Sequence, residues 1–552
     1  MADQPLRLAR IIFLCAALCG SAAFAGAATP LPVFTGLSGY SRHITTNSHD
    51  AQRYFDQGLA FTFGFDHERA IESFQEAARL DPQCAMAWWG IANACGPNIN
   101  APTVDKKHAT LALSALAKAQ AAAASGTPAE KALISAQAKR FGARFSTNRR
   151  ALDEAYVAAM REAWHAHPED ADTGVLFAEA LMDLRPWEQW KSDGTPQSGT
   201  EEAIAALKVA LSVSPDHPFG LHLTIHAIEA SPHPELAVPA SDRLRQQRTL
   251  IGHLEHMPSH IDVLVGRWAE AVESNQRAVQ SDNRYRQQVG EPSGDMLGYM
   301  AHNSHMLAYA AMMTGQSAVA LGAIREMIAG FPAKPPAEFA GSVDGFSAMI
   351  YEVQLRFGHW EEILAAPVPA EKATFSRAMF HAARGIAHAA LGHTAEARAE
   401  QVAFGMARTH VRSGAGLSLN RQVDILQVAE AMLDGELLFR EGQSDRGLAQ
   451  LREAVRREDA LRYDEPPGWI VPVRHALGAA LLQIGRWQEA EQVYRDDLKK
   501  RPRNGWALFG LSRSLKLQGK TDEAAATEKD FQQVWAKADL ELKSSCLCQP
   551  GA

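Results

Sequence analysis

The sequence predicts an all-α, right-handed superhelix built from stacked helical hairpins. Three observations carry that expectation. Small and aromatic residues recur with a period of about 34 residues, the mark of a helix-turn-helix repeat. No segment sustains the period-two alternation of a half-buried strand. Hydrophobic residues make up 46% of the 552 and charged residues 21%, a folded composition.

The first repeat runs from Tyr54 to Pro82, with Gly58, Phe61, Ala70, Phe74, Ala77 and Pro82 at repeat spacing. A residue as small as Gly58 lets two helices approach closely. Apolar positions three and four apart turn one face of each helix to a shared core. Pro82 ends the second helix because it has no donor to continue it. Near the C-terminus Gly478, Leu481, Gly485, Ala490, Tyr494 and Pro502 give the clearest further copy, followed by Leu508, Leu511, Leu515, Gly519 and Ala524. Partial copies contain Gly385, Gly392 and Ala397, and Gly435, Gly442, Leu451 and Ala454; weaker ones centre on Gly266, Gly315 and Gly358. One hairpin cannot bury its apolar face alone. Stacking builds the core and leaves a concave groove, where a peptide or protein partner is expected.

These positions resemble the tetratricopeptide repeat. The likeness extends to longer strings: residues 81–90 (DPQCAMAWWG), 96–100 (GPNIN), 186–190 (PWEQW), 252–260 (GHLEHMPSH) and 504–508 (NGWAL). They look like those of a widespread family of bacterial exported tetratricopeptide-repeat proteins. The resemblance implies the fold over most of the chain and assigns no activity.

The N-terminus reads as an export signal. Arg7 and Arg10 precede an apolar run over 11–23, and Ala23-Phe24-Ala25 and Ala25-Gly26-Ala27 offer small residues for cleavage. The expected order is a signal peptide at 1–27, an extended linker at 28–45, a helical region at 46–375, a regular repeat array at 376–535 and a cysteine-containing tail at 536–552. A periplasmic or secreted location follows. No later stretch reaches about 18 uncharged apolar residues, so no membrane span is expected after cleavage. The net charge of −8 gives no basic surface for nucleic acid. Cys84 and Cys95 fall on one helix, about 16 Å apart at 1.5 Å per residue, beyond disulfide reach. The pairing of Cys546 and Cys548 stays open.

Histidine is concentrated between His217 and His305. His222 and His226 leave one helical face a turn apart, with Glu229 three residues on; His302 and His305 share another face. His253, His256 and His260 surround Pro258. A residue before proline favours extended backbone, so His253 and His256 are expected on a loop and His260 in the helix that Pro258 begins. Imidazoles at this spacing suit copper or zinc. Glu229, Glu255 or Glu179 could orient the ligands from behind. Two functions follow: a scaffold whose groove holds a partner, or a metal-dependent enzyme or metal-handling protein using the histidines. His217 and His233 precede prolines and read as structural. Glu179, Asp183, Trp187 and Trp190 read as a helix end plugged by tryptophan under a loop. The 464–475 segment, with Pro466 and Pro467, reads as a stiff inter-repeat connection that Arg474 ties down. Asn98 and Asn100 read as helix caps.

Overall fold

The computed structural model describes residues 31–549 apart from 144, 293 and 338. The signal-peptide reading of 1–27 lies outside the described residues. Val33 onward forms one compact unit.

The observed architecture is helical hairpin after helical hairpin. His49–Phe63 packs on His67–Leu80, and Val473–Gln483 packs on Trp487–Lys500, with Gly505–Leu517 beyond. The local chemistry is plain. Ser48 caps the first helix by accepting from the Ala51 amide, and Asp66 caps the second by accepting from Arg69. The repeat glycines do what their spacing requires. A Cβ on Gly58 would stand 2.5 Å from the Phe74 ring, and one on Gly90 would meet the same ring at 2.5 Å. Tyr494 fills the same notch between Gly478 (2.3 Å) and Gly510 (2.2 Å). One aromatic ring thus locks three consecutive helices at each end of the chain. Gly478→Ala is expected to cost about 1–3 kcal/mol by overpacking a buried ring, read as a lower urea midpoint; an unchanged midpoint would show that Tyr494 moves freely.

A continuous apolar core extends from Val263 to Cys548 and includes both sides of position 375. Residues 33–47 form an irregular segment with several bends, not an extended linker, and it is tied down: Phe34 donates to Gln57 (2.9 Å), Leu250 donates to the Gly36 carbonyl (2.6 Å), and Arg42 pairs with Asp170 and Asp172.

Several local expectations are corrected. Strands do occur, as one two-residue antiparallel pair, Gly416–Leu417 with Asn420–Arg421. Met257 is helical (φ −49°, ψ −39°), so Gly252–His256 runs into Pro258–Val265 without the expected loop. Met257 is wholly buried, and that packing overrides the pre-proline preference. Asn98 accepts from Asn100 and Ala101 within its own turn instead of capping a helix. The tail is not a loose appendage: Arg356 donates to the Ser545 carbonyl (2.7 Å) and Tyr494 bonds the Ser545 hydroxyl (2.6 Å). Cys546 and Cys548 are joined to each other, beside Glu436, while Cys84 and Cys95 flank Ala85–Ala94 as free thiols. Arg474 pairs with Asp459 at 2.6 Å, which joins the ends of the two helices that flank the connection and does not hold the connection itself. Among the described residues no helix is long and apolar enough to cross a membrane.

Candidate metal centre

Four helices bring the histidines together. Pro218 starts the first, Pro218–Ile228, and His217 caps it by accepting from the Gly220 amide (3.2 Å) while facing Asp172 (3.1 Å). This cap fixes the helix phase, which turns His222 and His226 inward and leaves Glu229 just beyond the helix end. Gly252–His256 supplies His253 and His256, Pro258–Val265 supplies His260, and Gly294–Met313 supplies His302.

The ring nitrogens divide into two kinds. Four of the outer ones are held by acceptors, and His253 Nδ1 is buried without a hydrogen-bond partner. His222 Nδ1 donates to the Phe63 carbonyl (2.8 Å), His226 Nδ1 to Glu229 Oε1 (2.8 Å) and His256 Nδ1 to Asn275 Oδ1 (3.3 Å). His260 Nδ1 donates to Glu229 Oε2 (2.6 Å), and Glu465 Oε2 lies 2.9 Å from the same nitrogen. The inner ones face each other. His222 Nε2 is 3.2 Å from His253 Nε2. His260 Nε2 is 3.0 Å from His256 Nε2 and 3.5 Å from His302 Nε2. His226 Nε2 is buried with no hydrogen-bond partner. An Nδ1–H anchored outward leaves the Nε2 of His222, His226 and His256 with a lone pair aimed inward.

Electrostatics sharpen the point. Burial, with neighbouring His226, His222 and His260, holds His222, His253, His256 and His302 well below the ordinary histidine range. They are neutral at pH 7, the form that ligates a metal. Burial also opposes charge on His260, but the carboxylates of Glu465 and Glu229 outweigh it and raise its pKa to about 10, so this ring releases its Nε2 proton to solvent when that nitrogen takes a metal. Glu229 is held low, since the facing His226 and His260 outweigh its burial.

Aromatic rings wall the cluster. Phe65 stands 4.8 Å from His222, Tyr299 4.6 Å from His253, and Trp187 5.2 Å edge-on to His226. Phe65 and Trp187 both take left-handed backbone, at φ 62° and 60°. Bulky residues hold that conformation only where their surroundings impose it. Asn100 joins two walls, donating to Tyr299 (3.2 Å) and accepting from the Trp187 indole (3.0 Å). His302, Tyr299, Trp187 and Asn100 are half-buried, whereas the other five histidines of the cluster are buried, so access is from this side.

Of the residues singled out from sequence, His222, His226, His253, His256, His260, His302 and Glu229 converge. His305 does not: its ring packs on Phe346 at 5.7 Å. Glu255 is spent on the Thr249 amide (2.7 Å) and Arg277 (3.1 Å). Glu179 is buried near Arg140 and Asp183, away from the rings. Trp187 touches the cluster, where the plug reading placed it in a loop's underside. Sequence reasoning missed Glu465, Asn275, Tyr299, Phe65 and Asn100 as partners. Asn100, within the quoted 96–100 string, and Glu465, within the 464–475 segment, carried a signal, though neither as a partner of the histidines. Glu465 arrives through the proline connection, with the Tyr463 hydroxyl donating to its other oxygen.

The repeat hairpins and this cluster define the class: a helical-repeat protein with a buried polyhistidine centre. Residues 51–84 and 473–505 each match a model of the tetratricopeptide repeat, and the chain is a tetratricopeptide-repeat protein. No curated protein matches it in sequence. Among solved structures, the human IFIT1 dimer with m7Gppp-AAAA is 12% identical, aligned over 90% of this chain and 92% of that one at a TM-score of 0.30. The APC/C hetero-tetramer Cut9–Hcn1 is 12% identical over 89% of this chain and 78% of that one, at 0.31. Likenesses at these scores carry no weight for function.

Proposed function

We propose that this is an exported tetratricopeptide-repeat protein whose histidine cluster binds a late first-row transition metal, copper or zinc, and whose repeat surface takes a peptide or protein partner. One observation carries the metal reading: inner Nε2 atoms stand 3.0–3.5 Å apart, and the Nδ1 atoms of His222, His226, His256 and His260 are anchored outward. Protein acceptors on Nδ1 fix the tautomer and aim the lone pair, the usual second layer behind a histidine ligand. A cation among the inner nitrogens would be met by the lone pairs of His222, His226 and His256. His226 Nε2 is buried with no hydrogen-bond partner while its Nδ1 is held by Glu229, so it aims a lone pair that no protein group satisfies. The partner reading rests on the usual use of stacked repeats, and export on the basic-then-apolar N-terminal sequence.

Elemental analysis tests the metal reading. The protein, produced by export without a histidine tag, is expected to carry at least one equivalent of copper or zinc, and His222→Ala/His226→Ala to lose half of it or more. Wild-type protein that stays metal-free after exposure to both ions would sink the reading.

A further inference from the structure

We infer that the cluster is a two-ion centre: His222, His226 and His253 hold one dication, His256, His260 and His302 a second, and a small oxygen donor or anion bridges them. This rests on the metal-binding reading above and goes beyond it in number and arrangement.

The geometry divides six imidazoles into two threes. Within each set the ligand atoms lie no more than 4.8 Å apart. Nitrogens at about 2.05 Å in tetrahedral array stand about 3.4 Å from one another. The distances of 3.2 Å in the first set and 3.0 and 3.5 Å in the second bracket that value. Three nitrogens on each ion leave a fourth position open. The sets are also adjacent. Ring centroids of His253 and His256 are 5.4 Å apart, and those of His226 and His260 5.7 Å, which suits two ions at the roughly 3.5–4 Å separation of bridged pairs.

A rival grouping, His226, Glu229 and His260, is also compact. Its closest atoms, however, are at 2.8 and 2.6 Å. Those are hydrogen-bond distances with no room for an ion between them, so Glu229 acts as orienter.

Charge calls for the bridge. Two dications bring four positive charges into a buried site, and Glu229 and Glu465 are the carboxylates in contact with its rings. Uncompensated buried charge is costly, so hydroxide or another small anion at the shared open positions lowers the charge that the two carboxylates leave. The half-buried side at His302, Tyr299 and Trp187 admits one.

The test uses the mature full-length chain, stripped with chelator and titrated with copper(II) chloride, then desalted for copper content and electron paramagnetic resonance. Two equivalents per chain are expected for wild type, with resonance intensity well below the copper content because bridged ions couple. His302→Ala and His226→Ala should each fall to one equivalent and show full intensity, with helical circular dichroism unchanged. One equivalent in wild type overturns the two-ion arrangement and leaves metal binding standing. Two equivalents at full intensity overturn the bridge. No uptake of copper, and none of zinc in a parallel titration, overturns both readings. Should a variant unfold, the wild-type stoichiometry and intensity still decide.

Discussion

Glu229→Gln is expected to weaken metal binding about 10- to 100-fold, the usual effect of losing a group that orients histidine ligands. Its two oxygens hold His226 Nδ1 at 2.8 Å and His260 Nδ1 at 2.6 Å. A carboxylate accepts from both rings at once. An amide has one oxygen, and its NH2 would face the other ring's N–H. That ring must then flip its tautomer, which places Nε2–H where the ion binds, or turn away. Glu465 cannot compensate, because it reaches only His260. Competition against a chelator of known affinity gives the constant, and circular dichroism checks the fold. Unchanged affinity with intact fold would mean that Glu229 neutralises the buried rings without orienting them.

Arg42→Met is expected to remove about 3–5 kcal/mol, the cost of stranding a buried charge. Arg42 reaches Asp172 at 2.6 Å and Asp170 at 2.8 Å, with its side chain 9% exposed. Tyr40 and His217 also hold Asp172, at 2.8 and 3.1 Å. Burial alone would raise the Asp172 carboxyl, but Arg42 and His217 outweigh it and hold it well below the ordinary range. A carboxyl depressed on folding adds stability above its unfolded pKa of about 3.9, and that stability is lost as pH falls further. Wild type should therefore weaken steeply below about pH 4, and Arg42→Met should show a shallower acid-side loss from a lower starting point. Urea unfolding at pH 7 and pH 3 reads both effects. Equal midpoints at pH 7 would show that residues 33–47 do not bear on the stability of the repeats they cross.

Much of the fold was legible in the residues. Gly58 with Phe74, and Gly478 with Tyr494, set helix spacing through contacts some sixteen residues apart, so periodicity alone exposes them. His222, His226 and Glu229 were legible for the same reason, since one helical turn fixes their common face. Reading stopped where contacts span the chain. His222 is anchored by a backbone carbonyl of Phe63 and His260 by Glu465, partners that no spacing predicts. His302 and His305 show the limit plainly: three apart on one helix, one reaches His260 and the other packs on Phe346. The sequence by itself determined the repeat, the hairpins and the concentration of histidine. Tertiary structure alone decided which nitrogens face inward, because that depends on where neighbouring helices and the proline connection bring Phe63, Asn275 and Glu465 to hold the outward ones.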